Sequence, residues 1–506
     1  MRKTNSLKNF ITSTVPFIIL IFLGFWKINV WQSTLDEDVY ALNQLFFQIF
    51  AYLSLAEAGI GALVLKEYYK LFIDEDRETI RIYFTLSKRM LRKVCYIIMA
   101  AGIVVSFFLP ALANGNDLSL RYMQEIFILF LISSLVEYFM FSPRFVLQAD
   151  QKLYKLNIQM NVYKIAESVM GTLLIMYGIS YEAVLVATII LRIVMNFHLN
   201  RIVYKEYPWL KPVKDTKGLK IRGMHHVLIY KVVSVVYENA DLLIISSFIS
   251  PLMVIIYSNY KYITKYITDL LYQVGNAITS SLGNLLNIER NEHTYFTYEM
   301  ISTMFYFIAS FLTIALGYCI NSFIIVWVGE DKLFDPFSLG CALFIFYHMI
   351  VRRPQYILKD IFALYKELQA VSIAETILNL GLSLALVFRF GVQGVLGATV
   401  VSTLLTNFWY FPKYLYKKVF DKSPWLDLCK YVGCILLITV ILGLSEALLP
   451  PIPSTGYISW FLGSCVYSIA LLAVLTIIFS LLFKSFRRLL VQCWEMLLGI
   501  MRRMRG

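Results

Sequence analysis

Charged side chains inside apolar segments are the residues of this sequence best suited to binding a ligand. In one such segment Lys231, Glu238 and Asp241 are separated by seven and then three residues, which places them on one side of a helix. An ionisable side chain at the centre of a bilayer costs about 2.5–3.5 kcal/mol even on lenient insertion scales, so it is expected to face water or an ionic partner. The stripe therefore indicates either a hydrated cavity or an interhelical salt bridge.

The next apolar segment carries a second stripe, in which Lys261, Lys265 and Asp269 recur every four residues. Four tyrosines surround it: Tyr257, Tyr262, Tyr266 and Tyr272. Ammonium groups attract phosphate charge and aromatic faces suit sugar rings, so the pattern favours an anionic, sugar-bearing ligand. Lys231, Lys261 and Lys265 are accordingly the predicted substrate-binding residues, with Arg192 as a further cation. A purely structural role in salt bridges is the alternative, and Arg192 can also reach the membrane interface.

Two acids and two further lysines in apolar segments allow other roles. Asp241 and Glu375 are predicted to form a site for a coupling ion, Na⁺ or H⁺, because both are acids within the second predicted lobe. Lys164 and Glu167 are three residues apart and can pair with each other on one helix. Lys27 lies near the outer end of its segment, where its ammonium can reach the membrane interface.

The elements that position these residues are predicted to be membrane helices. Of the 506 residues, 59% are hydrophobic and 16% are charged, whereas soluble domains carry about 25% charged residues. A spanning helix needs about 20 predominantly apolar residues, and such stretches recur from end to end, so we predict an all-α integral membrane protein with about fourteen transmembrane helices. The predicted spans are 9–30, 38–64, 91–112, 122–143, 156–178, 181–201, 224–248, 252–283, 297–322, 336–351, 367–389, 393–413, 428–449 and 457–482.

The distribution of basic residues predicts the orientation. The chain has 46 Lys and Arg against 33 Asp and Glu, a formal net charge of +13. Most of these basic residues lie in alternate connections and at both termini, which the positive-inside rule assigns to the cytoplasm. The positive charge is thereby explained without nucleic acid as a partner. The segment 65–93 and the basic tail are predicted to lie against anionic membrane lipids.

Composition divides the chain into four parts. A basic segment with two prolines, 206–222, is the predicted cytoplasmic linker between six helices in 1–205 and six helices in 223–420. Residues 421–506 add two transmembrane helices and a basic cytoplasmic tail. Two six-helix lobes suggest structural repeats with a substrate path between them.

Motifs for covalent chemistry are absent from the sequence. It contains no G-x-x-x-x-G-K-[ST] phosphate loop, no H-E-x-x-H and no G-x-S-x-G motif. Its five histidines are scattered and its seven cysteines form no C-x-x-C pair, so neither a metal site nor a bound cofactor is expected. We predict that the protein is not an enzyme. A membrane glycan polymerase is disfavoured because the sequence has no large external loop.

Four stretches of the sequence resemble those of a transporter family. They are Leu-Ala-Glu-Ala-Gly-Ile-Gly-Ala-Leu at 55–63, Asn-Ala-Asp-Leu-Leu-Ile-Ile-Ser-Ser-Phe at 239–248, Val-Ile-Ile-Tyr-Ser-Asn-Tyr at 254–260, and Val-Trp-Val-Gly-Glu at 326–330. Over most of residues 1–420 their spacing is similar to that of the Wzx-type polysaccharide flippases. That family belongs to the MOP superfamily, together with the MATE drug exporters and the lipid II flippases.

The resemblance implies a V-shaped pair of six-helix lobes that works by alternating access in the bacterial cytoplasmic membrane. The implied substrate is an oligosaccharide linked to undecaprenyl diphosphate, moved from the inner to the outer leaflet, and other glycan-assembly membrane proteins are expected as partners. Some lipid II flippases bind sodium between helices seven, eleven and twelve, which here points to Asp241, Glu375, Asn379 and Thr399. The alternative function is a MATE-like, cation-coupled exporter of small organic molecules. An exporter of that kind would be expected to carry an acidic residue in its first helix, and the first predicted span of this sequence contains none.

Overall fold

All regular structure in the described part of the chain is helical. The computed structural model describes residues 2–54, 60–140, 143–150, 152, 154–216, 225–288, 292–362 and 364–505, with side chains described for part of them. The helices of the first half are α1 (Arg2–Thr34), α2 (Glu37–Leu53), α3 (Ile60–Ile73), α4 (Arg77–Ser106), α5 (Leu109–Leu112), α6 (Leu120–Met140), α7 (Arg144–Ala149), α8 (Tyr154–Met176), α9 (Tyr181–Glu206) and α10 (His225–Phe248).

The second half continues in the same way, with a short 3₁₀ turn at Glu330–Lys332 and a π turn at Tyr416–Phe420. Its α-helices are α11 (Pro251–Ile288), α12 (Glu292–Val328), α13 (Pro336–Val351), α14 (Arg353–Ile361), α15 (Tyr365–Leu405), α16 (Asn407–Leu415), α17 (Trp425–Leu448), α18 (Tyr457–Leu482) and α19 (Lys484–Arg505). Each predicted span falls on one helix or on two consecutive helices. Residues 55–59, which belong to the first quoted motif, lie outside the described residues.

The lengths and surfaces of these helices are those of a membrane protein. Among the described residues, seven helical stretches are long and apolar enough to cross a bilayer. Large apolar side chains stand on their outer faces, for example Phe388 and Ile469, which are 76% and 70% exposed. Extensive exposed apolar surface is expected where a protein contacts lipid. The predicted all-α, multi-pass membrane fold is confirmed.

Two glycines make the tight turns that the sequence predicts between spans. Gly391 has a φ of 55° and reverses the chain within α15, so that this long stretch forms two successive spans. Gly178, with a φ of 75°, ends α8 three residues before α9 begins. A side chain would strain the backbone in this left-handed region, so glycine is the residue that permits both reversals.

The chain divides into two compact units, Met1–Ile255 and Ile256–Gly506. In the first unit α8 packs against α1 and α9, while α6 packs against α9 and α4. Helix α10 packs against α2, and the Ser246 hydroxyl donates a hydrogen bond to the Leu112 carbonyl oxygen at 2.8 Å. The sequence predicts that the residues of α10 belong to the second lobe, whereas in the structure they lie in the first unit. The predicted division into 1–205, 206–222, 223–420 and 421–506 stays a prediction.

The first part of the predicted linker is fixed to the first unit. The Arg81 Nε donates to the carbonyl oxygen of Lys211 at 3.1 Å, and the Val213 amide donates to Thr85 Oγ1 at 2.9 Å. Leu210, between these contacts and the end of α9, is fully buried. The linker therefore runs along the N-terminal part of α4 as far as the structure describes it, to residue 216.

In the second unit a buried carboxylate joins α17 to the preceding helices. Asp427, which is 1% exposed, lies in the first turn of α17 and accepts a hydrogen bond from Arg352 Nη1 at 2.8 Å. It also accepts from Gln355 Nε2 at 2.9 Å and from the Tyr306 hydroxyl at 2.9 Å. Tyr416 donates a longer bond to the same carboxylate at 3.3 Å. A polar node thus attaches the first of the two C-terminal spans to α12 and α14.

The predicted orientation can be tested with single cysteines placed in connections on opposite sides. Asp215 is exposed in the predicted cytoplasmic linker, and Asp331 is 68% exposed in the connection between α12 and α13. Asp331 is preferable to the nearby Asp335, whose carboxylate caps α13 by accepting from the Ser338 amide. In a cysteine-free background, an impermeant thiol reagent added to intact cells should label Asp331→Cys and spare Asp215→Cys. The reverse labelling would show that the orientation is inverted.

Candidate functional site

A charged cavity lies inside the first unit, enclosed by α1, α6, α8 and α9. Its volume is about 160 Å³, which is room for a small anion and a few waters at about 30 Å³ per water. Three cationic and two acidic side chains line it, a net charge of +1. The lining residues are Lys27, Glu137, Met160, Lys164, Glu167, Ser168, Arg192 and Met195. The cavity brings charged residues from four helices to one place within the membrane-spanning region.

Arg192 and Glu167 form a bidentate ion pair across the cavity wall. The Arg192 Nη2 donates to Glu167 Oε1 at 2.7 Å, and Nε donates to Oε2 at 3.1 Å. Both side chains keep about a quarter of their surface exposed, 26% and 28%. The sequence allowed Glu167 to pair with Lys164 on its own helix; the structure pairs it with Arg192 on α9. This geometry fixes the guanidinium, because its fork matches the two carboxylate oxygens.

Lys27 lies over the face of an aromatic side chain that is itself held by a second one. Its ammonium lies 4.0 Å from the centre of the Trp31 ring, one turn further along α1. Trp31 is buried and meets the Tyr181 ring edge-on at 5.9 Å. The Tyr181 hydroxyl in turn donates to Asn43 Oδ1 at 2.7 Å. A cation above an aromatic face is attracted to it by roughly 0.5–2 kcal/mol, which holds Lys27 against the cavity without cancelling its charge.

The two cavity lysines differ from the cavity arginine in their direct contacts. Among the described residues, neither Lys27 nor Lys164 forms an ion pair or a hydrogen bond with an acidic side chain. The second acid of the cavity, Glu137, lies 3.7 Å from Arg144 Nη1. Arg144, which is 2% exposed, also donates to the Asn196 side-chain oxygen. Each acid thus has an arginine beside it, and the lysines supply the cavity's uncompensated positive charge.

The predicted stripe in the eighth span is present in the second unit. The Lys265 ammonium lies 3.2 Å from the Asp269 carboxylate, with 57% of the lysine side chain exposed. Lys261 is half-buried, and its ammonium lies 5.4 Å from the centre of the Tyr257 ring. The side chain of Lys231 lies outside the described residues. A substrate-binding role for these three lysines and for Arg192 stays a prediction.

The predicted ion-coupling residues fall in different units, Asp241 in the first and Glu375 in the second. Both are buried, at 7% and 5% exposure. Glu375 accepts hydrogen bonds from Thr403 Oγ1 at 2.9 Å and from the side-chain amide of Asn407. A coupling role for the Asp241 and Glu375 pair stays a prediction.

A second polar pair lies one turn along the same two spans. Asn379 donates to Thr399 Oγ1 at 2.7 Å, and both residues are buried. Because Asn379 follows Glu375 by four residues and Thr399 precedes Thr403 by four, the two pairs form successive rungs of oxygen-bearing side chains. Carboxylate, amide and hydroxyl oxygens are suitable ligands for a hard cation. The described residues contain no cluster of three or more His, Cys, Asp or Glu side chains.

Comparison with known proteins identifies the fold. No protein-family model and no curated protein sequence matches this chain. The lipid II flippase MurJ, in an inward closed conformation, is 15% identical and superposes with a TM-score of 0.67 over 94% of this chain and 98% of its own. An inward-facing multidrug-resistance MATE transporter of the MOP superfamily is 13% identical, with a TM-score of 0.57 over 85% of this chain and 96% of its own.

A third similar structure is a MOP superfamily transporter from Pyrococcus furiosus, which is described as having a binding pocket of reversed polarity. It is 13% identical and has a TM-score of 0.50 over 86% of this chain and 96% of its own. The chain therefore has the fold of MOP-superfamily membrane transporters along nearly its whole length.

Proposed function

We propose that this protein is a flippase that moves an oligosaccharide linked to undecaprenyl diphosphate from the inner to the outer leaflet by alternating access. The observation that carries the proposal is the basic cavity of the first unit, in which Lys27 and Lys164 form no direct ion pair with an acidic side chain among the described residues. The transporter fold shared with the lipid II flippase supports it. The membrane is proposed to be the bacterial cytoplasmic membrane, with both chain termini in the cytoplasm.

The charge of the cavity suits a diphosphate for an electrostatic reason. Two unit charges 4 Å apart interact by about 4 kcal/mol at an effective dielectric constant of 20, against about 1 kcal/mol in water. Lys27 and Lys164 place uncompensated positive charge in such a setting, and Arg192 adds a planar donor group that matches phosphate oxygens. An anionic headgroup supplies the missing negative charge. Lys261, Lys265 and Lys231 are proposed as further cations along the substrate path.

The alternative function, a MATE-like exporter of small organic molecules, is compatible with the fold, although the MATE transporter superposes with a TM-score of 0.57 against 0.67 for the lipid II flippase. Its usual cargo is cationic and would need an acidic pocket. Each acid of the observed cavity lies beside an arginine, Glu167 at Arg192 and Glu137 at Arg144. The positive charge of the cavity therefore favours a flippase for an anionic lipid over an exporter of cations. We further propose that the protein catalyses no covalent chemistry and acts together with glycan-assembly membrane proteins and anionic lipids.

Ligand binding to the purified protein distinguishes the two functions without knowledge of the glycan. Undecaprenyl diphosphate should bind and raise the melting temperature, and undecaprenyl monophosphate should bind more weakly because it carries less charge. Tetraphenylphosphonium, a permanent lipophilic cation, should not bind. Binding of tetraphenylphosphonium without binding of the diphosphate would support the exporter instead.

Coupling to an ion gradient is proposed to depend on Glu375, whose carboxylate is the charged group of the two polar rungs. Glu375→Gln keeps the shape of the side chain and removes its charge, so transport driven by a sodium or proton gradient should fall by about tenfold or more, the effect of roughly 1.4 kcal/mol. The rate is measured in proteoliposomes with an imposed gradient of either ion. Glu367→Gln, an exposed position in the first turn of α15, is the matched control. Full gradient-driven transport by Glu375→Gln and by Asp241→Asn would refute the coupling site.

A further inference from the structure

Glu167 takes up the donors of the cavity that are best matched in geometry to an anionic ligand. Its two carboxylate oxygens take up the Nε and Nη2 donors of Arg192, the same pair of donors that would hold a phosphate group in bidentate fashion. Lys164 precedes Glu167 by one turn of α8, and both line the same cavity with Lys27. The carboxylate is thus an anion built into the centre of a cationic site.

This arrangement has two physical consequences for a ligand. A phosphate that enters the cavity competes with Glu167 for the Arg192 donors, since the guanidinium can present that edge to only one partner. If the phosphate binds to the lysines alone, it lies near a carboxylate of like charge and is repelled. Both effects weaken binding of an anion and shorten its residence.

We propose that Glu167 is a built-in competitor that limits the affinity of the cavity for the diphosphate and thereby sets the rate of its release. The inference rests on the proposed function, because it assigns regulation to the same site. A transporter gains from this arrangement because a site that moves cargo must bind it weakly enough to let it go. When the ligand leaves, Glu167 regains both Arg192 donors and the cavity returns to its resting state.

A purely structural role for the Glu167–Arg192 ion pair predicts the opposite change in ligand affinity. If the ion pair served only to hold α8 against α9, removal of the carboxylate would loosen the cavity and weaken ligand binding. Under the proposal, Glu167→Gln releases Arg192 and removes the repulsive charge, so binding becomes tighter. The direction of the affinity change therefore separates the two roles.

The test measures undecaprenyl diphosphate binding to detergent-purified full-length protein and flipping of a lipid-linked oligosaccharide in proteoliposomes. Glu167→Gln should bind the diphosphate on the order of tenfold more tightly, with a lower KM and a lower kcat for flipping. Glu125→Gln is the matched control, since it breaks an exposed ion pair with Arg121 in the same unit, and it should change neither quantity. Unchanged or weaker binding by Glu167→Gln would overturn the proposal.

A second pair of variants covers the case in which Glu167→Gln does not fold. Arg192→Gln should weaken diphosphate binding, and the neutral pair Glu167→Gln/Arg192→Gln should bind more tightly than Arg192→Gln because the repulsion is gone. Equal or weaker binding by the pair overturns the proposal. If the parent protein binds no diphosphate, the proposed function itself fails; if the parent binds and only the Glu167 variants show no gain, the competitor role alone fails.

Discussion

Replacing Lys27 and Lys164 together by alanine is expected to abolish flipping of the lipid-linked oligosaccharide. Each lysine supplies to the cavity an ammonium without a direct ion pair among the described residues, and a hydrogen bond to a charged group contributes roughly 1.5–3 kcal/mol. Each single variant should therefore lose roughly tenfold to a hundredfold in transport, because 1.4 kcal/mol is about a factor of ten. The loss is measured as the initial flipping rate in proteoliposomes at equal protein density.

The matched control for this double variant is Lys366→Ala/Lys418→Ala, which removes two exposed lysines of the second unit. It should flip the substrate at the parent rate. Lys27→Arg retains the positive charge above Trp31 and should keep most of the activity. If Lys27→Ala/Lys164→Ala flips at the parent rate, the lysines are structural and the cavity does not bind the headgroup.

Replacing Asp427 by alanine is expected to cause the largest loss of stability. The change would leave Arg352 buried, at 2% exposure, without the carboxylate that now lies 2.8 Å away. Removal of one partner of a buried ion pair costs about 3–5 kcal/mol. The Gln355, Tyr306 and Tyr416 donors to this carboxylate would lose their acceptor as well. The variant should show a clearly lower melting temperature in detergent and a lower yield of monodisperse protein.

Two comparisons identify the cause of this instability. Asp421→Asn removes the charge of an 81% exposed acid that pairs with Lys417 in the same connection and keeps a residue type that tolerates the left-handed backbone there, with its φ of 53°, so its melting temperature should match that of the parent. Arg352→Gln/Asp427→Asn removes both charges and should recover part of the loss, because no unpaired charge remains buried. A parent-like melting temperature for Asp427→Ala would show that the node does not stabilise α17.

The sequence predicted those features that depend on local patterns. Spans follow from the length of apolar runs, and the reversal at Gly391 follows from a glycine between two such runs. The stripe of Lys261, Lys265 and Asp269 was predictable because four-residue spacing determines one face of a helix. These features need no knowledge of which helices are neighbours.

The cavity could not be predicted because its pairings join side chains on different helices. Glu167 has a lysine one turn away on α8, yet it pairs with Arg192, 25 residues further on. Lys27 lies above Trp31, and Trp31 in turn contacts Tyr181, the first residue of α9, which is 150 residues further along the chain. The signal of the cavity that the sequence offered was the presence of charged residues in these apolar segments.

Asp427 was missed for a different reason. It lies at the end of a basic connection, where an acid is expected to be solvated. Its burial arises because Arg352 and Tyr306, on two other helices, converge on the first turn of α17. The substrate-binding role predicted for the charged stripes of the seventh and eighth spans stays a hypothesis.

Flipping of undecaprenyl diphosphate bearing a short fluorescent oligosaccharide can be measured with the purified protein reconstituted in liposomes. Quenching of the outer-leaflet fluorophore by an impermeant reagent reports how much substrate has crossed. If the protein is a flippase with its headgroup site in the cavity, the parent should make nearly all of the substrate accessible, whereas Lys27→Ala/Lys164→Ala should leave the inner-leaflet half protected, as in protein-free liposomes. No movement of this lipid by the parent protein, together with export of a cationic dye from the same liposomes, would contradict this function.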